Sequence, residues 1–113
     1  MSKKSDIVLE IELDENNVPE KLAWTASDGG INNEEAKAYL LSVWDSNAKE
    51  TLRIDLWTKD MPVDEMKQLI HQTLVGLTDT YLRATADELM ADTMRQFTDY
   101  FAEKLNLKKA PNQ

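Results

Sequence analysis

The chain of 113 residues contains no cysteine, a single histidine, three glycines and three prolines. The missing cysteines exclude disulfides, thiolate metal sites and thiol nucleophiles together. With His71 alone, neither a histidine-paired nucleophile nor a multi-histidine metal site can be built within one chain. Basic residues are also scarce, 13 Lys and Arg against 21 Asp and Glu, for a net charge of -8. A phosphate backbone needs a basic footprint, so no nucleic acid is expected as a partner. The Lys3-Lys4 and Lys108-Lys109 pairs are too short a basic signal to coat an anionic membrane. No stretch reaches the roughly 18 to 20 apolar residues of a spanning helix. Charges interrupt Ile7–Leu13, where an export signal needs an unbroken apolar region, and residue 2 is Ser where myristoylation needs Gly. The expectation is a soluble cytoplasmic protein without direct membrane insertion.

A chain of this length has room for one domain and one modest core. We place that core at about residues 6–107, with short flexible ends. Ile7-Val8-Leu9-Glu10-Ile11-Glu12-Leu13 alternates with a period of two, sending Ile7, Leu9, Ile11 and Leu13 toward a core face and Glu10 and Glu12 toward water. Glu15-Asn16-Asn17 supplies turn residues, and Leu22–Ala26 forms a second strand. Ser27-Asp28-Gly29-Gly30 ends it, and residues 31–35 read as irregular. Residues 36–45 mix helix formers with Tyr39, Val43 and Trp44. The turn cluster Asp45-Ser46-Asn47-Ala48-Lys49 and the renewed alternation over 51–58 favour a strand pair.

Beyond Pro62 the period changes to 3.6. Val63, Met66, Leu69, Ile70, Thr73, Leu74, Leu77 and Tyr81 mark the stripe of a first amphipathic helix over about 62–84. Thr85-Ala86-Asp87-Glu88 fits a capping box that opens a second helix over 86–105, with Leu89, Met90, Met94, Phe97, Phe101 and Leu105 as its stripe. The order ββββαα predicts an α+β domain: a four-stranded antiparallel sheet followed by two helices packed on one face.

Few residues propose chemistry. His71 reads as a surface or boundary residue, although an unperturbed imidazole titrates near neutrality. Asp14-Glu15-Asn16-Asn17 lacks the spacing of a calcium loop, and Asp28-Gly29-Gly30 lacks the Lys and Ser or Thr of a phosphate loop. Met66, Met90 and Met94 fit core filling. No catalytic, cofactor-binding or metal-binding residue emerges, and no cofactor is expected. The tryptophans are different. Trp57 shares a strand face with Arg53 and Asp55, opposite Leu52, Ile54 and Leu56, and Trp44 lies in the partner strand. If the helices cover the aliphatic side, Trp44, Arg53, Asp55 and Trp57 form a candidate protein-contact surface, because Trp and Arg are enriched in binding hot spots.

The run Leu13–Ala26 followed by Asp28-Gly29-Gly30, then Leu41-Ser42-Val43-Trp44-Asp45, residues 51–67, His71-Gln72-Thr73-Leu74 and Asp99–Leu105 resemble the gliding-motility protein GldC family of the Bacteroidetes. The resemblance implies a small accessory protein of the gliding machinery with protein partners there. It carries over no catalytic residues. A homodimer is a second expectation for the tryptophan face. An acidic ββββαα subunit is also similar in plan to the export chaperone SecB, which gives an alternative role as a chaperone or assembly factor by fold analogy alone. An enzyme working through a carboxylate pair is the remaining alternative, to be recognised by two close acids with raised pKa values in a deep pocket.

Overall fold

The structure, a computed structural model, describes residues 2–107. The chain is α+β, with five strands and two long helices among the described residues: β1 (Ile7–Leu13), β2 (Pro19–Ala26), β3 (Ile31–Ala36), β4 (Ala38–Asp45), β5 (Glu50–Trp57), α1 (Val63–Thr85) and α2 (Glu88–Leu105). The strands do not form the expected single four-stranded sheet. They make an antiparallel three-stranded sheet, β1-β2-β3, and a separate antiparallel pair, β4-β5. The chain divides between Met61 and Pro62 into two compact units, one of strands and one of helices. The four-strand plan behind the SecB likeness is therefore not the one adopted. The Lys108-Lys109 pair, at the end expected to be flexible, lies outside the described residues.

In the β unit, local turn chemistry sets the hairpins. The Asp14 carboxylate accepts from the backbone N–H of Asn16 (2.8 Å) and Val18 (3.0 Å), while Asn17 takes the left-handed φ of 61° that Asn tolerates. Asp45 repeats the device, accepting from Asn47 N–H (2.9 Å) and Ala48 N–H (3.3 Å). The missed strand is β3. Asn32, Asn33, Glu34 and Glu35 have little strand preference of their own, but pairing Ala23 with Glu35 and Trp24 with Glu34 overrides it. A short 3-10 turn, Ser27–Gly29, and Gly30 at φ 74° lead into it, so the two glycines serve a turn as expected.

The β unit buries little. Leu22 is fully enclosed and Tyr39 nearly so, whereas Ile7, Ile11 and Leu13 are exposed, which corrects the expectation that β1 presents a core face. Tyr39 ties the two sheets together. From β4 its hydroxyl donates to the carbonyl of Ala23 on β2 and lies 3.2 Å from the carbonyl of Glu10, the residue paired with Ala23 across β1 and β2. Removal from water raises the Tyr39 pKa above its usual value, which keeps the donor protonated.

The fully buried positions of the helical unit are mostly polar. His71, expected at the surface, is 1% exposed, and with Thr78, Ala91 and Thr98 it forms the buried seam of the helix pair. These residues sit seven apart on each helix, the spacing that returns to one face. The imidazole Nε2 donates to the Thr98 carbonyl (3.1 Å), since a carbonyl can only accept, and the ring stacks on Phe101 at a centroid distance of 6.0 Å. Thr78 and Thr98 donate to carbonyls of their own helices, Leu74 (2.9 Å) and Arg95 (2.9 Å), which satisfies their buried hydroxyls. The expected apolar stripes are only partly used. On α1, Met66, Leu69, Ile70, Thr73, Leu74 and Tyr81 are half-buried and only Val63 and Leu77 of the stripe are exposed, whereas on α2 Met94 and Phe101 are half-buried and Leu89, Met90, Phe97 and Leu105 are exposed.

The cap between the helices also differs in detail. Asp87, rather than Thr85, is the N-cap of α2, accepting from Met90 N–H (3.1 Å). Its second oxygen accepts from the Tyr81 hydroxyl (2.8 Å), and Thr85 Oγ1 accepts from Asp87 N–H (3.1 Å). Donation by Met90 N–H and then by Tyr81 stabilises the carboxylate and lowers the Asp87 pKa.

Candidate functional site

The β4–β5 register decides which side chains share a face. Ala38 pairs with Trp57, Leu40 with Asp55, Ser42 with Arg53 and Trp44 with Thr51. Because side chains of paired residues point the same way, Trp44, Arg53, Asp55 and Trp57 lie on one face, as the alternation predicts. Trp44 is 63% exposed and Trp57 52%. The two indoles are not neighbours, however. They occupy opposite ends of the hairpin, six ladder positions apart or about 20 Å at ordinary strand rise.

Arg53 is fixed between them. Its Nη2 and Nε donate to Asp55 Oδ1 (2.7 Å) and Oδ2 (3.2 Å), a bidentate pair, and its Nη1 donates to Ser42 Oγ across the ladder. The pair is half-exposed and adds little stability, but it ties the guanidinium to Asp55 on the face that carries both indoles. At the base of β5, Thr58 is buried and its Oγ1 donates to Asp60 Oδ1 (2.6 Å), while Lys37 Nζ meets Asp60 Oδ2 (2.9 Å). These contacts lower the Asp60 pKa, the Thr58 hydrogen bond first. They also clamp the open end of the hairpin.

The opposite face was expected to be covered. It carries Val43, Leu52 and Ile54, all about half exposed, so the hairpin presents apolar side chains in both directions. The signal for this was in the sequence, since Tyr39, Leu41 and Val43 alternate in step with Leu52, Ile54 and Leu56. What the alternation does not carry is whether anything lies against that row.

Pocket chemistry offers less. A groove of about 820 Å³ runs along the helical unit, lined in part by Asp79, Arg95, Asp99 and Glu103. A smaller hollow on the three-stranded sheet is lined by Glu10, Glu12, Lys21 and Glu35. Among the described residues no three His, Asp or Glu side chains gather in a metal-binding cluster. The carboxylates with displaced pKa values, Asp14, Asp60 and Asp87, are all displaced downward by hydrogen-bond donors or by lysine, the reverse of what a general acid needs. For Asp14 the donors are Val18 N–H, Lys59 and Asn16 N–H, in that order of effect. No described helix is long and apolar enough to cross a membrane.

The chain is a small α+β protein whose β4–β5 hairpin displays two well-separated indoles and the Arg53–Asp55 pair on one face. The sequence model of the gliding motility-associated GldC-like proteins matches residues 19–107, and the chain belongs to that family. The match takes in β2 through α2 and therefore the whole β4–β5 hairpin. No curated protein and no solved structure matches the chain.

Proposed function

We propose that the protein is a non-enzymatic accessory factor of the gliding machinery, kept in the cytoplasm, which works by docking the Trp44–Arg53–Trp57 face of its β4–β5 hairpin on another protein of that machinery. The observation that carries this reading is the exposure of two indoles on one sheet face, separated by a guanidinium already held in place. Indoles exposed to water lose the hydrophobic stabilisation they are suited to supply, whereas in a contact they become anchors. The fixed Arg53 loses less conformational freedom on binding than a mobile side chain. Family membership supplies the process, and the downward displacement of the shifted carboxylates supports a role in binding over acid catalysis.

The test replaces Trp44 and Trp57 with Ala, singly and together, in gliding cells. Spreading should fall with the double substitution while the protein remains folded and at normal abundance. Normal gliding by a folded double variant would refute the reading.

A further inference from the structure

Among the described residues four strands have a free edge: β1 and β3 in the three-stranded sheet, and both strands of the β4–β5 pair. Three carry charges along their length, the usual guard against edge-to-edge pairing: Glu10 and Glu12 on β1, Glu34 and Glu35 on β3, and Glu50, Arg53 and Asp55 on β5. The fourth does not. From Ala38 to Trp44, β4 has no charge, no proline and no glycine, and it reaches Asp45 only at its end.

The ladder fixes which of its backbone groups face outward. Thr58 N–H donates to the Lys37 carbonyl (2.9 Å), one step beyond the paired Ala38 and Trp57. Hydrogen-bonded pairs in an antiparallel ladder recur at every second residue, so Tyr39, Leu41 and Val43 bond inward to β5. The N–H and C=O groups of Ala38, Leu40, Ser42 and Trp44 then point away from β5, and no backbone partner takes them among the described residues.

We infer that this edge is a self-pairing surface: two copies of the chain join β4 to β4 antiparallel about a two-fold axis at Leu41, giving a four-stranded sheet in the order β5-β4-β4-β5. The axis position follows from the outward groups. Centred on Leu41, Leu40 meets Ser42 of the other copy and Ala38 meets Trp44, so every outward-facing residue finds an outward-facing residue. Centring on Leu40 or Ser42 leaves outward groups at one end without a counterpart. The same centre sets Asp45 opposite Lys37 of the second copy at both ends. Lys37 already meets Asp60 and Asp45 already caps its turn, so this adds favourable potential without a new dedicated pair. It also rejects parallel pairing, which aligns like charges.

The arrangement changes the tryptophans as well. Trp44 comes to lie beside Ala38 of the other copy, whose own ladder neighbour is Trp57. Two strand spacings, about 10 Å, then separate indole-bearing positions that lie about 20 Å apart within one chain, with only the small Ala38 between them. The apolar row Tyr39, Leu41, Val43 continues into its symmetry copy on the opposite face. An edge of this length buries a modest area, so a reversible, concentration-dependent dimer is expected. The pairing stands on the edge itself and does not depend on the tryptophan face recruiting a gliding partner.

Sedimentation of the full chain over a range of concentrations, with wild type and Ser42→Pro, tests the pairing. Proline at an outward-facing edge position removes one donor per copy and obstructs the neighbour, yet leaves the inward ladder intact. Wild type should form dimers as concentration rises, and Ser42→Pro should weaken them at least about tenfold while keeping the wild-type circular dichroism. A second measurement does not depend on that variant folding. The chain has no cysteine, so single cysteines report distance directly. Leu41→Cys places two Cα atoms about 4.5 Å apart across the axis, within disulfide reach, whereas Val43→Cys places them about 14 Å apart. Mild oxidation should cross-link Leu41→Cys and spare Val43→Cys. A wild type that stays monomeric at high concentration overturns the inference. So does a dimer that survives Ser42→Pro, or one in which Val43→Cys cross-links as readily as Leu41→Cys.

Discussion

The two compact units fill their centres with different proportions of apolar and polar side chains. The β unit encloses the aliphatic Leu22 together with Tyr39 and Thr58, and the Tyr39 hydroxyl helps to hold its two sheets to each other. The helical unit encloses His71, Thr78, Ala91 and Thr98, and places larger apolar side chains such as Leu89 and Phe97 outside. Burying apolar area stabilises without direction, whereas a polar seam stabilises only when each donor finds its acceptor. The β unit should therefore respond to changes of volume, and the helical unit to both volume and hydrogen-bond geometry.

The largest effects come from emptying either centre. Leu22→Ala should cost about 3 kcal/mol and His71→Ala a comparable amount, read from urea unfolding followed by circular dichroism and tryptophan fluorescence. All three tryptophans, Trp24, Trp44 and Trp57, lie in the β unit, so fluorescence reports that unit and helical dichroism the other. A filled alternative sharpens the contrast. His71→Leu restores apolar volume while removing the donor to Thr98, and it should cost about 1 kcal/mol, the net value of one buried hydrogen bond. If His71→Leu costs as much as His71→Ala, the seam depends on the imidazole itself and the comparison of centres must be redrawn.

Next in size is the Tyr39 hydroxyl in the β unit. Tyr39→Phe keeps the ring and deletes the hydroxyl that reaches the Ala23 carbonyl, so a loss of about 1 to 2 kcal/mol is expected in urea unfolding. An unchanged midpoint would mean that the hydroxyl adds nothing net to the joining of the sheets.

A gain of similar size is available between the helices. Ala86 caps α1 at φ 57°, in the left-handed region where a Cβ is strained, and its N–H bonds the Leu82 carbonyl (2.8 Å). Ala86→Gly should therefore stabilise the helical unit by about 1 kcal/mol, visible as a higher melting temperature of the helical signal. Destabilisation would show that the turn depends on contacts of the Ala86 methyl.

The smallest expected effect is with pH. Asp14 and Asp60 in the β unit and Asp87 in the helical unit all have folded pKa values below the ordinary carboxylate value. A lowered folded pKa contributes stability that is fully present above the unfolded pKa, about 4, and is lost as pH falls through the folded value. Melting temperatures should thus be flat from neutral pH down to about 4 and decline below it. Asp87→Asn keeps a capping acceptor without the titration, so it should flatten the acid decline of the helical signal only. An equal flattening of tryptophan fluorescence would contradict that assignment.

Which residues form strand or helix was largely written locally. Period-two alternation marked β1 and β5, the Asp45–Lys49 turn cluster marked the β4–β5 hairpin, and the change of period after Pro62 marked both helices. The candidate face was equally legible, because Trp57, Arg53 and Asp55 alternate with Leu52, Ile54 and Leu56 whatever lies around them, and the β4–β5 register adds Trp44. These features depend on neighbours in sequence, so a single chain carries them. β3 was not legible. Its Asn and Glu residues form a strand only because β2 offers an edge to pair with, and that offer comes from outside the segment.

The same division separates what the sequence determined from what only the tertiary structure decided. Composition settled the absence of thiol and multi-histidine chemistry, and periodicity settled the helix pair and the tryptophan face. The split into two sheets, the burial of His71 and the bare outward edge of β4 were decided by contacts between segments distant in the chain. Periodicity states which residues share a face, but only three-dimensional packing determines which faces and edges find a partner. For this protein those are the features through which it can meet another molecule.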